Sequence, residues 1–147
     1  MTDGLAITLA SILWVIALMH AYWGFGHVWP AADAKLLART VVGARNIERM
    51  PPPASCFAVA FALCGVGLWP LMASRLVTPA ASLRLVLWAG MAFALTFLAR
   101  GVAAYTAAWR RLFPEQPFAS LDRRYYAPLC LALGVGFIIL VLQETSP

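Results

Sequence analysis

Four long apolar runs separated by short polar stretches set the pattern of this chain. They cover about Leu5–Val28, Ala54–Ala73, Leu83–Trp109 and Tyr126–Leu142. A helix of about 20 apolar residues crosses the hydrocarbon core of a bilayer. Lipid satisfies no backbone N–H or C=O group, so each run predicts a transmembrane α-helix. The expected fold class is all-α, a transmembrane four-helix antiparallel bundle in a single domain over residues 1–147. The third run is long enough to tilt or to project from the membrane. Pro51, Pro52 and Pro53 stiffen the approach to the second run, and Pro114 and Pro117 stiffen the approach to the fourth. The first run has no basic leader, since Met1–Gly4 carries only Asp3, and it is long for a signal peptide, so it is expected to stay as a helix. Small residues at helical spacing mark expected close contacts. They are Ala58, Ala62 and Gly65 on the second run, Ala103, Ala104, Ala107 and Ala108 on the third, and Gly134 and Gly136 on the fourth.

Composition strengthens the membrane reading. The 147 residues are 63% hydrophobic and 12% charged, and the mean hydropathy is +0.80. A soluble domain of this size has too little interior to hide so much apolar surface. That excludes a soluble enzyme, a disulfide scaffold and a disordered tail. The net charge of +5 is placed by the positive-inside rule. Lys35, Arg39, Arg45 and Arg49 follow the first run, and Arg110, Arg111, Arg123 and Arg124 follow the third. The opposite side carries only Arg75 and Arg84. Both basic loops are therefore expected in the cytoplasm and both termini outside it. The basic residues are spread over loops rather than gathered on one amphipathic element, which argues against nucleic acid and for membrane lipids with anionic headgroups as partners.

Candidate chemistry lies in three places. His20, Tyr22, Trp23 and His27 fall at the end of the first run, and a continuous helix puts His20, Trp23, Gly24 and His27 on one face. Arg100 lies on the third run, about 14 Å inside the Trp109–Arg111 boundary by helix rise. The four runs as bounded here hold no Asp or Glu after Leu5, so the countercharge of Arg100 must come from a loop. Asp122 and Glu48 are the candidates, with capping of the fourth helix as the alternative role of Asp122. Tyr126 offers a hydroxyl at similar depth. All these groups fall on the predicted cytoplasmic half, where convergent polar groups in an aromatic shell make a small-molecule site. The expected ligand-binding residues are Arg100, His20, Tyr22, Trp23, Asp122 and Tyr126, with Glu48 and His27 secondary. His20 is the candidate catalytic group because imidazole exchanges protons near neutral pH.

Spacing argues against the simplest metal and haem sites. His20 and His27 stand about 10.5 Å apart along a helix, too far to share one Zn²⁺ at about 2.0–2.1 Å from each nitrogen. A bis-histidine haem would need them on facing helices. Any other cofactor is unknown from the sequence. Cys56 and Cys64 are too far apart on one helix for a disulfide, while Cys56 and Cys130 begin the second and fourth runs at similar depth.

The residues also carry a resemblance. His20, Tyr22, Trp23 and Gly26, then Arg100-Gly101, then Phe118, Asp122, Tyr126, Pro128, Leu129, Cys130 and Leu131 match the motif of small bacterial four-helix membrane proteins grouped as a domain of unknown function. His27 stands where that pattern often has a glycine. The resemblance implies the bundle and a multi-pass place in the bacterial inner (cytoplasmic) membrane, and it implies no activity. A weaker likeness, through Arg45-Asn46-Ile47-Glu48, is to the membrane-associated eicosanoid and glutathione metabolism family, whose Arg-Asn-x-x-Glu motif is one residue longer. The leading expectation is a cytoplasm-facing intramembrane pocket for a small anionic or amphipathic ligand. The alternatives are a structural or assembly subunit of a larger membrane complex, and a membrane enzyme acting on a lipid-soluble substrate. A homo-oligomer is compatible with all three.

Overall fold

The computed structural model describes residues 2–78 and 82–145. The chain ends, whose side of the membrane the charge count predicts, lie outside those residues. Every regular element among the described residues is helical: α1 Thr2–Gly24, α2 Ala34–Val41, α3 Pro53–Ala73, α4 Leu83–Ala103, α5 Ala107–Leu112, α6 Phe118–Leu121 and α7 Ala127–Thr145. A π-helical turn, Asp122–Tyr126, joins α6 to α7. Four helical stretches are long and apolar enough to cross a membrane, and α6, the π turn and α7 together make the fourth, Phe118–Glu144. The protein is thus a multi-pass membrane protein by length and composition.

The helices pair as two hairpins, α1 with α3 and α4 with α7. The hairpins meet in the half of the bundle away from the basic loops. Leu9 and Leu13 of α1, Trp69 and Ala73 of α3, Val86 and Ala94 of α4, and Leu133, Phe137, Leu140 and Val141 of α7 form one buried cluster there. Trp69 is the keystone. Its ring stacks on Phe137 at 5.1 Å, and its indole N–H donates to the Val86 carbonyl at 2.7 Å. A Cβ on Gly90 would stand 1.9 Å from that ring, so the α3–α4 approach depends on the missing side chain. Gly134 and Gly136 likewise admit Leu98 and Leu9. The stripe expected on α3 does not pack. Ala58, Ala62 and Gly65 are exposed, and a Cβ on Gly65 would meet nothing within 4 Å. Cys56, Ala60, Gly67 and Ala73 are buried in their place.

On the basic side, short elements tie the two hairpins together. Asp33 caps α2, accepting from the Leu36 N–H at 2.8 Å, and Leu37 and Ala38 are fully buried. The loop after α2 then binds the loop after α5. The Arg45 N–H donates to the Leu112 carbonyl at 3.2 Å and the Glu115 N–H to the Gly43 carbonyl at 3.2 Å. Arg39 pairs with Glu115 at 3.0 Å. Gly43 has φ +66, and a Cβ there would lie 2.3 Å from the Phe118 ring, so both conformation and space demand glycine.

Three boundaries differ from the sequence expectation. The first helix ends at Gly24 rather than Val28, since Gly26 takes φ +87. His27 is therefore off the helix and does not share a face with His20. The third helix ends at Ala103 rather than Trp109, because Thr106 caps a new helix, its hydroxyl accepting from the Trp109 N–H at 3.2 Å. Arg100 thus sits in the last turn of α4. The fourth helix begins at Phe118, not Tyr126, which brings Asp122 inside a helical span. Pro128 explains the wide turn beneath it. A proline has no N–H for the carbonyl four residues back, and its ring clashes there in a tight helix. A π turn relieves both, with the Ala127 N–H reaching the Asp122 carbonyl.

Candidate functional site

The strongest polar cluster is built around Asp122, which is 2% exposed. The α4–α7 crossing sets it in place: Gly101 faces Leu131 and the Ala127 carbonyl so closely that a Cβ would meet them at 2.7 and 3.1 Å. That approach aligns the end of α4 with the π turn. The Arg100 Nη2 donates to Asp122 Oδ1 at 2.6 Å. The Trp109 indole N–H donates to Asp122 Oδ2 at 3.0 Å. The guanidinium of Arg100 also lies over the Trp109 ring at 4.4 Å, a cation–π contact. Each member of the triad thus holds the other two. A buried carboxylate is costly unless paired and hydrogen-bonded, and here both oxygens are used. Arg100 Nη1 is buried and has no partner among the described residues.

Asp122, rather than Glu48, is therefore the mate of Arg100, and it acts by pairing rather than by capping. Glu48 accepts from Lys35 Nζ at 2.7 Å on the exposed loop, and that ammonium holds its carboxyl below the usual carboxylate range. Trp109 is not among the expected site residues, although a tryptophan three residues beyond a helix-capping threonine offers both a ring face and an N–H.

The other expected residues divide between two further places. Tyr126 donates its hydroxyl to the Thr40 carbonyl at 3.3 Å, and its ring stands 5.9 Å from Phe118. It joins α2 to the π turn. His27, beyond the helix end, stacks on Tyr22 in the last turn of α1 at 4.3 Å. His20 and Trp23 remain together, with ring centroids 5.1 Å apart. They line a cavity of about 180 Å³ whose wall also includes Val41, Val42, Met50, Ser55 and Cys56. Of the six expected ligand-binding residues, His20 and Trp23 line this cavity. Arg100 and Asp122 pair where the end of α4 meets the π turn, while His20 and Trp23 face α2 and α3.

His20 has a defined hydrogen-bonding state. Its Nδ1 lies 2.8 Å from the Ile16 carbonyl, an acceptor, so Nδ1 carries the proton in the neutral ring. Nε2 is then the lone-pair nitrogen, and no hydrogen bond to it occurs among the described residues. No group of three or more His, Cys, Asp or Glu side chains is placed to hold a metal among the described residues. Cys56, Cys64 and Cys130 are free thiols.

Comparison with known proteins places the chain. A family described as protein of unknown function (DUF3995) matches residues 13–137. The chain belongs to this family. No curated protein and no solved structure matches it. Within the DUF3995 match lie His20, Trp23, Cys56, Arg100, Trp109 and Asp122 alike.

Proposed function

We propose that this DUF3995 protein resides in the bacterial inner membrane and binds the polar end of a small amphipathic molecule in the cavity beside His20. One observation carries the reading: His20, whose Nε2 has no hydrogen-bond partner among the described residues, lines an otherwise mostly apolar space. The carbonyl of Ile16 fixes the tautomer, so the ring is presented ready to accept a hydrogen bond. The chemistry that suits it is a hydroxyl, phenol or N–H donor on a lipid-soluble body. At about 180 Å³, the cavity is smaller than the 300–1,000 Å³ of drug-sized sites. It therefore suits a headgroup whose apolar remainder extends into lipid. Arg100 is better assigned to the ion pair with Asp122, which removes it from the ligand's recognition. In the enzyme version of this reading, the same Nε2 is the general base.

The test is extraction of small molecules from protein purified out of its native membranes, quantified by mass spectrometry. A near-stoichiometric species is expected in the wild type. His20→Ala should reduce it about fivefold to tenfold, the worth of one hydrogen bond. His20→Gln, which keeps an acceptor, should retain part of it, and Cys56→Phe should exclude it by filling the space. Identical extracts from wild type and His20→Ala would end the proposal.

A further inference from the structure

A second cavity, of about 350 Å³, opens on the basic side between α5 and the π turn. It is lined by Tyr105, Arg110, Gln116, Ser120, Arg123 and Arg124, together with Ala119. We infer that it binds a phosphate-bearing group, either the headgroup of an anionic phospholipid or a soluble phosphate ester. Three arginines and one glutamine line it, with no Asp or Glu in the wall, and the Arg124 guanidinium lies 5.4 Å from the centroid of the Tyr125 ring. The carboxylates of this side are engaged elsewhere. Asp33 caps α2, Glu48 pairs with Lys35, Glu115 with Arg39 and Asp122 with Arg100. Arg110, Arg123 and Arg124 have no acidic partner within 4 Å among the described residues.

The sequence hides this convergence, because Arg110 is separated from Arg123 by a turn and two prolines. The fold creates it in two steps. The break after Ala103 folds α5 back so that Trp109 reaches Asp122, which carries Arg110 toward the π turn. The Tyr105 hydroxyl then donates to the Arg123 carbonyl at 3.1 Å, tying the end of α4 to the same turn. The Ser120 hydroxyl donates to Gln116 Oε1 at 2.7 Å. That bond orients the carboxamide and leaves its N–H₂ as a donor. Planar guanidiniums match phosphate oxygens with paired N–H groups, which makes arginine the suited residue. Tyr105 in the wall, and Trp109 and Tyr125 next in sequence to the lining arginines, are residue types expected at headgroup level.

The experiment titrates the detergent-purified full chain with phosphatidylglycerol and phosphatidylcholine and counts bound lipids by native mass spectrometry. Wild type should prefer phosphatidylglycerol by about tenfold or more. Each of Arg110→Gln, Arg123→Gln and Arg124→Gln should weaken that lipid about fivefold, the expected effect of one arginine near an anionic headgroup. Arg49→Gln, on the same side but outside the cavity, should leave it within about twofold by the same reckoning. The single variants change exposed side chains, so folding is retained for comparison. Displacement of the lipid by millimolar glycerol phosphate identifies a soluble ester as occupant, and resistance to it identifies the lipid. Either result supports phosphate recognition. Three results would overturn it: binding of neither ligand, equal binding of both lipids, or equal losses in the cavity and control variants. His20→Ala should leave this binding intact, so the two sites stand or fall separately.

Discussion

At the scale of single residues, the decisive relation is among Arg100, Asp122 and Trp109. Asp122 is almost wholly buried, and the Arg100 side chain is 28% exposed. Removing one member of a buried ion pair strands the other and costs about 3–5 kcal/mol. The partial exposure of Arg100 lowers that here to about 2 kcal/mol for Asp122→Ala, since the released guanidinium can reach toward water. Arg100→Ala should cost more, because the carboxylate left behind has no such route. Arg100→Met combined with Asp122→Leu should be milder than the sum of the single changes, as apolar replacement of a whole buried pair often is. A double-mutant cycle by thermal unfolding in detergent measures the coupling. A coupling near zero would show that the two side chains are neighbours without being partners. The sequence narrowed the mate of Arg100 to two carboxylates, and it could go no further. Choosing between Asp122 and Glu48 needs the rotation of the fourth helix, which hydropathy does not encode.

At the scale of helices, hydropathy located the spans well and their ends poorly. The second span, bounded by prolines and by Ser74, was expected over 54–73 and is Pro53–Ala73. The third was overrun because the stretch Gly101-Val-Ala-Ala-Tyr-Thr-Ala-Ala stays apolar through the turn, so only the capping tendency of Thr106 signals the break. The start of the fourth was obscured because the π turn places charged Asp122, Arg123 and Arg124 within a helix. Packing faces were harder still. The small residues of α3 recur at helical spacing on two sides, and nothing in the chain says which side meets a partner. A paired substitution tests the assignment. Gly90→Ala drives a methyl into the buried Trp69 ring, and overpacking of this kind costs about 1–3 kcal/mol. Gly65→Ala meets open space, so it should be neutral or stabilise by up to about 1 kcal/mol through helix propensity. Melting temperatures that fall equally for both variants would contradict the packing described for α3.

At the scale of the molecule, the two halves of the bundle cohere by different means. The half away from the basic loops is a dense apolar core shared by both hairpins, with Phe137 touching Trp69, Phe93 and Phe97. The basic half is cross-linked by polar bonds and by a string of aromatic rings from Trp109 through Phe113 and Phe118 to Tyr126. Stability is not uniform where such different contacts meet, and regions with few buried apolar contacts open first. Gly43 is the point at which to separate them. An alanine there must adopt φ +66 and displace the Phe118 ring, so it should loosen the link between α2 and α6 without reaching the far core. Hydrogen exchange is expected to quicken across residues 34–47 and 112–121 in Gly43→Ala, while residues 9–13 and 133–141 keep their wild-type protection. Uniform loss of protection would mean that the hairpins form one cooperative unit. Unchanged exchange near Phe118 would mean that the loops do not depend on that contact. Both candidate cavities border the elements released in this way, the first through Val41 and Val42 and the second through Gln116 and Ser120. The same variant should therefore weaken ligand retention at each, although Gly43 lines neither.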